Sequence, residues 1–449
     1  MNSSQTSGRN VVITGLGILS PIGIGVETFR SNLSAGNSGV STIELMPFSA
    51  APKNVGAEVP GFEEKTARKT YLKSLRKSVK VMCREIQLGV ASAVLAVENA
   101  ALPLDQIDHA RLGVDFGANT MSSPPSVLKD PAWACVDADD PECRFHFERW
   151  GSRGLNVNRA SGMGQMEPLW LLRYLPNMPA CHIGIMAAAH GPNNSVTMAE
   201  ASGNLAISEA REVILRGAAD VMISGTTGTR VHPVKTLHAA LWDELACAET
   251  SPETWCRPFD RDRTGQVAGE GACSLILEEE AHARARGANV LATIRGAGAS
   301  CVVDRRDRPN LRRALANAMR VALKNAGLRP EQIGHINAHG LGQKQADIDE
   351  AAAIHDVFGP RADSVPVTAL KSYLGNSASG CGTLELAGSV VSLRDGVVPP
   401  TLNYETPDPD CPLNVVHGDP LETGNRTVLN INVSRMGQAS ALIVDVHPA

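Results

Sequence analysis

The chain has 449 residues, more than one compact core usually holds, so two domains or one large duplicated core are expected. Its composition, 43% hydrophobic and 20% charged, is that of a globular protein, and a net charge of −5 gives no electrostatic reason to expect nucleic acid or a membrane surface as partner. Aromatic residues make up only 4%, so the core must be assembled from Ala, Val, Leu and Ile.

The N-terminus, MNSSQTSGRN, is polar and lacks the apolar centre of a signal peptide. Residues 1–9 are expected to be a disordered tail and the protein to be cytoplasmic. VVITGLGILSPIG (Val11 to Gly23) reads as a buried strand followed by a glycine turn. Its Gly15-x-Gly17 is not a dinucleotide site, because Ser20 stands where a third glycine is needed. A helix is expected over about 78–102, where apolar residues recur at i, i+3 and i+4, and then a strand in RLGVDFGANT. From 122 to 180 the pattern becomes irregular, with Pro124, Pro125, Pro131 and three of the five Trp, and reads as an insertion or cap over the core.

SVTMAEASGN, Ser195 to Asn204, is a strand–turn–helix elbow with a carboxylate, Glu200, at its tip. The helix that follows keeps Ala206, Ala210, Val213 and Ile214 on one face and ends at Gly217; ADVMISGTT is then another buried strand. A second half is expected from about residue 256. It carries a strand in NVLATIRGAGAS, a helix over about 309–326, a strand in HINAHG, a helix over 346–357 and a strand at 365–369. A terminal pair follows, TVLNINVSRMG and ASALIVDV. Strands alternating with helices on both sides of position 250 make the fold α/β. No run of 18 apolar residues occurs, so no membrane span is expected. The ten Cys form no C-x-x-C pair and are expected to be reduced and mostly buried.

Several long segments, in order, carry a resemblance. VVITGLGILSPIG, GPNNSVTMAEASGN, RPFDRDRTGQVAGEGA, NAHG at 337–340, LKSYLGN at 370–376 and LRDGVVPPTLNYETPDPDC are similar to segments of the β-ketoacyl synthase family of the thiolase superfamily, over roughly residues 10 to 445. The resemblance implies a thiolase fold: five layers, αβαβα, made of two similar halves over 10–255 and 256–449. It also implies a dimer through the region around 190–200, formed with an identical chain or with a Cys-containing ketosynthase. Acyl carrier protein would be the partner that delivers substrate on its phosphopantetheine arm, with no metal, nucleotide or flavin as cofactor.

Carried over position by position, Glu200 stands where the family has its acyl-accepting Cys. His339 matches the first catalytic His and Lys371 the lysine, while Asn376 stands where the second His belongs. Met436, beside Arg435 in SRMGQ, occupies the position of a gating Phe, and Glu270 is expected to make structural hydrogen bonds beneath the site. Arg305, Arg306, Arg308, Arg312 and Arg313 form a basic run that is either a solvated face or a place for an acidic carrier protein.

A helix N-terminus suits an anion, so Glu200 is structurally comfortable, but a carboxylate cannot act as a lasting thioester carrier. Condensation is therefore expected to be absent. The silent partner subunit known as a chain-length factor is the first expectation, with Glu200 ionised and neutralised by Lys371 or by a protonated His339. The alternative is a malonyl-carrier decarboxylase that uses His339 and Asn376 as donors to the enolate, with Glu200 protonated.

Overall fold

The computed structural model describes residues 8–137, 139–151 and 162–449. Most of the expected tail, and part of the expected cap, lies outside these residues. Arg9, assigned to the tail, donates from Nη1 to the Ile214 carbonyl at 3.1 Å and faces Asp220.

Val11–Ser20 (β1) is buried at every position, as a strand covered on both faces must be. Gly15 and Gly17 lie inside it rather than in a turn. The reason is contact: a Cβ on Gly17 would lie 1.9 Å from the Ser92 carbonyl oxygen of the helix Arg84–Asn99 (α1), so only glycine lets that helix settle onto the strand. The strands Leu112–Ala118 (β2), Asn193–Val196 (β3), Val221–Thr229 (β4) and Glu270–Glu279 (β5) complete a first half-sheet in the order β3-β2-β4-β5-β1.

The second half-sheet comprises Ala292–Cys301 (β6), His335–Asn337 (β7), Val367–Thr368 (β8), Thr427–Val433 (β9) and Gln438–Val446 (β10). Its order is β8-β7-β9-β10-β6. Numbered within each half, both orders are 3-2-4-5-1. The parallel and antiparallel pairings also correspond, since the second strand is parallel to the third and fourth and the fifth is antiparallel to the fourth and first. The chain is thus a structural duplication. A short antiparallel seam, Val12 to Thr293 and Ile13 to Ala292, joins the halves through their first strands.

The structure places the passage between halves later than residue 255. Strand β5 follows that position but pairs with β1 and β4, so the first half ends after Glu279 and the second begins at Ala292. RPFDRDRTGQVAGEGA therefore leads back into the first sheet.

Helix α1 and Met178–Ala187 (α2) cover the outer face of the first sheet. Leu311–Ala326 (α5) and Lys344–Phe358 (α6) cover that of the second. Between the sheets lie Ser202–Leu215 (α3) and Cys381–Arg394 (α7), whose apolar side chains share one core with β1, β5, β6 and β10; Pro233–Trp242 (α4) lies near the cavity described below. Five layers result, αβαβα, as expected from the resemblance. The inner helices cross at their first turns: a Cβ on Gly203 would sit 2.9 Å from Gly382 Cα. That crossing brings the elbow before α3 against the Asn376–Gly380 segment before α7. No described helix is long and apolar enough to cross a membrane. All ten Cys are free, five of them buried.

Candidate active site

Strand β3 delivers the chain to a turn in which Ala199 takes φ +46°, a left-handed conformation that a residue with a Cβ rarely adopts. Ser202 Oγ accepts from Met198 N–H at 2.9 Å and closes the turn. Glu200 projects from it and is only 3% exposed.

Its counter-ion is Arg230, the residue directly after β4. Arg230 Nη2 donates to Glu200 Oε1 at 2.7 Å, and Asn376 Nδ2 donates to the same oxygen at 3.1 Å. Burial alone would raise the Glu200 pKa, but the Arg230 charge and these hydrogen bonds outweigh it and hold the carboxyl below its ordinary value. The counter-ion expected from the sequence, Lys371 or His339, is not the one found.

Lys371 instead points into a separate buried pair. Its Nζ lies 2.5 Å from Glu385 Oε1 and donates to the His339 carbonyl at 2.7 Å. It also donates to His339 Nδ1 at 3.1 Å. An ammonium can only donate, so Nδ1 is the acceptor and the imidazole proton sits on Nε2. Burial, then the nearby charges of Lys371 and Arg230, push the His339 pKa well below its usual value, so the ring is neutral and cannot neutralise Glu200. The 2% exposed His339 is also held from its backbone, whose N–H donates to Glu350 Oε1 at 2.6 Å.

Asn376 is engaged at both ends. Its Nδ2 donates to Gln266 Oε1 at 2.5 Å as well as to Glu200, while its Oδ1 accepts from Ala378 N–H at 2.8 Å. Cys381 Sγ lies 3.2 Å from the same Oδ1, but burial pushes its thiol up to about 11, so it is not a thiolate. Glu270 is fully buried and accepts from Val59 N–H at 2.9 Å and from Arg84 Nη2 at 2.6 Å, a structural anchor next to the site.

Beyond Arg230 the charges continue outward in alternation. Arg230 Nη1 meets Asp243 Oδ2 at 3.0 Å, Asp243 Oδ1 lies 3.6 Å from Arg435, and Arg435 stacks on Trp242 at 5.6 Å. Arg230, Asp243, Trp242, Arg435 and Met436 all line a cavity of about 570 Å³. Met436 is 54% exposed, at its mouth. The basic run lies beside this mouth, since Val302 N–H donates to the Gly437 carbonyl at 3.2 Å. Arg308 pairs with Asp304 and Arg312 with Asp356, and the run is otherwise solvent-facing.

The models for the N-terminal and C-terminal domains of β-ketoacyl synthases match residues 8–283 and 291–405. The chain belongs to the β-ketoacyl synthase family. Among its relatives, the 3-oxoacyl-[acyl-carrier-protein] synthase 2 of Coxiella burnetii is 32% identical over 437 residues, covering 97% of this chain and 98% of the relative. A solved structure described as the ishigamide ketosynthase/chain length factor superposes with a TM-score of 0.81 at 30% identity, covering 98% of this chain and 99% of that one. A type II polyketide synthase acyl carrier protein in complex with its ketosynthase, bound to the hexaketide, gives the same TM-score at 25% identity and covers 98% and 99%.

Within this β-ketoacyl synthase scaffold the structure brings Glu200 and Asn376 into direct contact and joins His339 to Lys371. Arg435 and Met436 lie at the cavity mouth. The residues that sequence reasoning missed are Arg230 and Asp243. Arg230 ends ISGTTGTR, and nothing in that string marks it; its role follows from the place of β4 beside β2, next to the elbow strand.

Proposed function

We propose that this chain is a ketosynthase-like subunit unable to condense acyl groups, acting as the silent, chain-length-factor-like partner in fatty-acid or polyketide assembly. In this reading Glu200 occupies the place of the acyl-accepting Cys. The observation that carries it is the Arg230–Glu200 ion pair at 2.7 Å, which makes the elbow a fixed carboxylate and not a nucleophile available to a thioester. The cavity beside it would hold a chain delivered on the phosphopantetheine arm of an acyl carrier protein, and no cofactor enters the scheme. A relative solved with its carrier protein supports that partner, and the exposed arginines beside the mouth offer an acidic carrier a complementary surface.

Strand β3 ends the sheet order and has β2 as its one neighbour among the described residues, so its outer edge is open to pairing with a second chain. The relative described as a ketosynthase/chain length factor supports a Cys-containing ketosynthase as that second chain.

The decarboxylase alternative needs a neutral Glu200 and a free amide donor on Asn376. An ionised Glu200 would repel a malonyl carboxylate about 4 Å away by roughly 4 kcal/mol at an effective dielectric near 20. Both hydrogens of the Asn376 amide already have acceptors. The test is co-expression with a Cys-containing ketosynthase from the same gene cluster. Copurification in a 1:1 ratio, with loss of product when this chain is omitted, is expected; two separately eluting proteins and unchanged product would contradict the proposal.

A further inference from the structure

Asp115 is the one acid in RLGVDFGANT, and β2 places it one strand in from the open edge of the first sheet. Its neighbours Val114 and Phe116 belong to the outer core, so by alternation Asp115 turns to the other face of the sheet, where α3 packs. It is fully buried there, and among the described residues no cation pairs with it. Asn194, its register partner on β3, donates from Nδ2 to Asp115 Oδ2 at 3.3 Å, while Oδ1 has no partner. On its other side the register partner is Ser224 of β4, whose hydroxyl oxygen is also buried without a partner. The charge that acts on it from α3 is that of Glu209, of the same sign.

A carboxylate in such a place is costly, because water is excluded and nothing supplies a positive charge. Burial, reinforced by Glu209 and opposed by the Asn194 hydrogen bond, pushes the Asp115 carboxyl up to about 7, so near neutral pH it is poised between its two forms. The neutral acid suits the site better. It still accepts from Asn194, and it gains an O–H for which Ser224 Oγ is an unused acceptor. A strand added outside β3 would lie about 10 Å from β2, twice the spacing of paired strands. It would strip water from Asn194, which is exposed in the single chain, and so raise the cost of the charge further.

We propose that pairing of a second chain along β3 captures a proton on Asp115, so that the assembly holds a neutral carboxyl beneath its seam and loosens as pH rises. The proposal rests on the reading of β3 as the edge that a second chain covers, and adds its regulation. One carboxylate oxygen gains a proton from solvent, and no other covalent bond changes. Below about 7 the single chain already carries the proton and affinity is level; above it the proton must be taken up and the Kd rises. Two identical chains take up two protons, whereas pairing with a ketosynthase takes up one on this chain, so the steepness reports which assembly forms.

The test measures the Kd of the full-length chain, with itself and with a Cys-containing ketosynthase from the same gene cluster, by sedimentation equilibrium between pH 6 and pH 9. The Kd is expected to be level up to about pH 7 and then to rise, by up to about tenfold per unit for one proton and about a hundredfold for two. Asp115→Asn keeps the shape without a titrating group and should leave the Kd level above pH 7, which separates Asp115 from His190, just before the same edge strand. Thermal melts establish that the variant folds, and the sign of the wild-type slope decides by itself if it does not. A wild-type Kd that stays level or falls with rising pH, or a rise that Asp115→Asn retains, would overturn this inference while leaving pairing at β3 intact. A chain that stays monomeric with either partner at every pH would overturn both.

Discussion

Arg230 Nη2 and Glu200 Oε1 lie 2.7 Å apart, with the arginine bridging from the elbow carboxylate to Asp243 at 3.0 Å. Two carboxylates thus share one guanidinium at the cavity wall.

Removing the cation should leave Glu200 as an uncompensated buried charge. Arg230→Met is expected to destabilise the fold by about 3–5 kcal/mol, the range for breaking one side of a buried pair. Glu200→Gln in the same chain should recover much of that loss, because a neutral amide of the same shape needs no counter-ion. Urea unfolding of the two single variants and the double variant measures the coupling directly.

Acid should weaken the protein in two stages, and the signs follow from the shifts. His339 has its folded pKa well below the unfolded value of about 6.5, so the unfolded chain takes up a proton first and stability falls as pH drops below about 6.5. Glu200 is also depressed, from an unfolded value of about 4.3, so its contribution is full above that pH and is lost as pH falls through the folded pKa. Urea midpoints measured from pH 8 to pH 3 should therefore decline along both limbs. Glu200→Gln should make the lower one shallower without removing it, because the Glu278 carboxyl is also held down, to about 2, and should leave the upper one in place.

Lys371 is expected to matter more to structure than to charge balance at Glu200. Lys371→Met would strand Glu385 without its cation, at a cost of about 3–5 kcal/mol. It would also release His339 Nδ1, so the ring tautomer should become mixed. Nitrogen chemical shifts of a ring-labelled His339 report that change independently of stability, provided the variant still folds in the measured conditions.

The fold class was legible in the sequence: the alternation of strands and helices gave α/β, and the segments around Glu200, His339, Lys371 and Asn376 carried the family resemblance that implied its layers. Helices expected at 309–326 and 346–357 are found at Leu311–Ala326 and Lys344–Phe358. The helix expected over 78–102 is shorter, Arg84–Asn99, because its first residues form turns and a single 3₁₀ turn at Val79–Val81. Pairing across the fold was not legible. Whether Glu200 meets Lys371 or Arg230 depends on which strands are neighbours, and apolar periodicity says nothing of that. The same blindness put the boundary at 255, since β5 looks like any buried strand until its partners β1 and β4 are known.

The elbow has features that lower the pKa of a thiol placed there: a helix N-terminus, a strained preceding residue and a nearby arginine. Glu200→Cys should therefore react with iodoacetamide near neutral pH, faster than an ordinary thiol by tenfold or more, while buried Cys381 stays unmodified. Peptide mass mapping distinguishes the two sites. Failure to label at position 200 in a folded variant would mean that the turn does not favour an anion.

Intact mass spectrometry offers the most direct test. The wild-type protein, alone and with acyl-carrier and malonyl-carrier protein, is followed for covalent acylation and for loss of CO2 from the malonyl group. The expected result is an unmodified protein mass and a malonyl-carrier that decays no faster than in buffer. An acyl adduct on any side chain of the cavity, or acetyl-carrier formed at a rate that Glu200→Ala abolishes, would contradict the assignment of a fixed, paired carboxylate at the elbow.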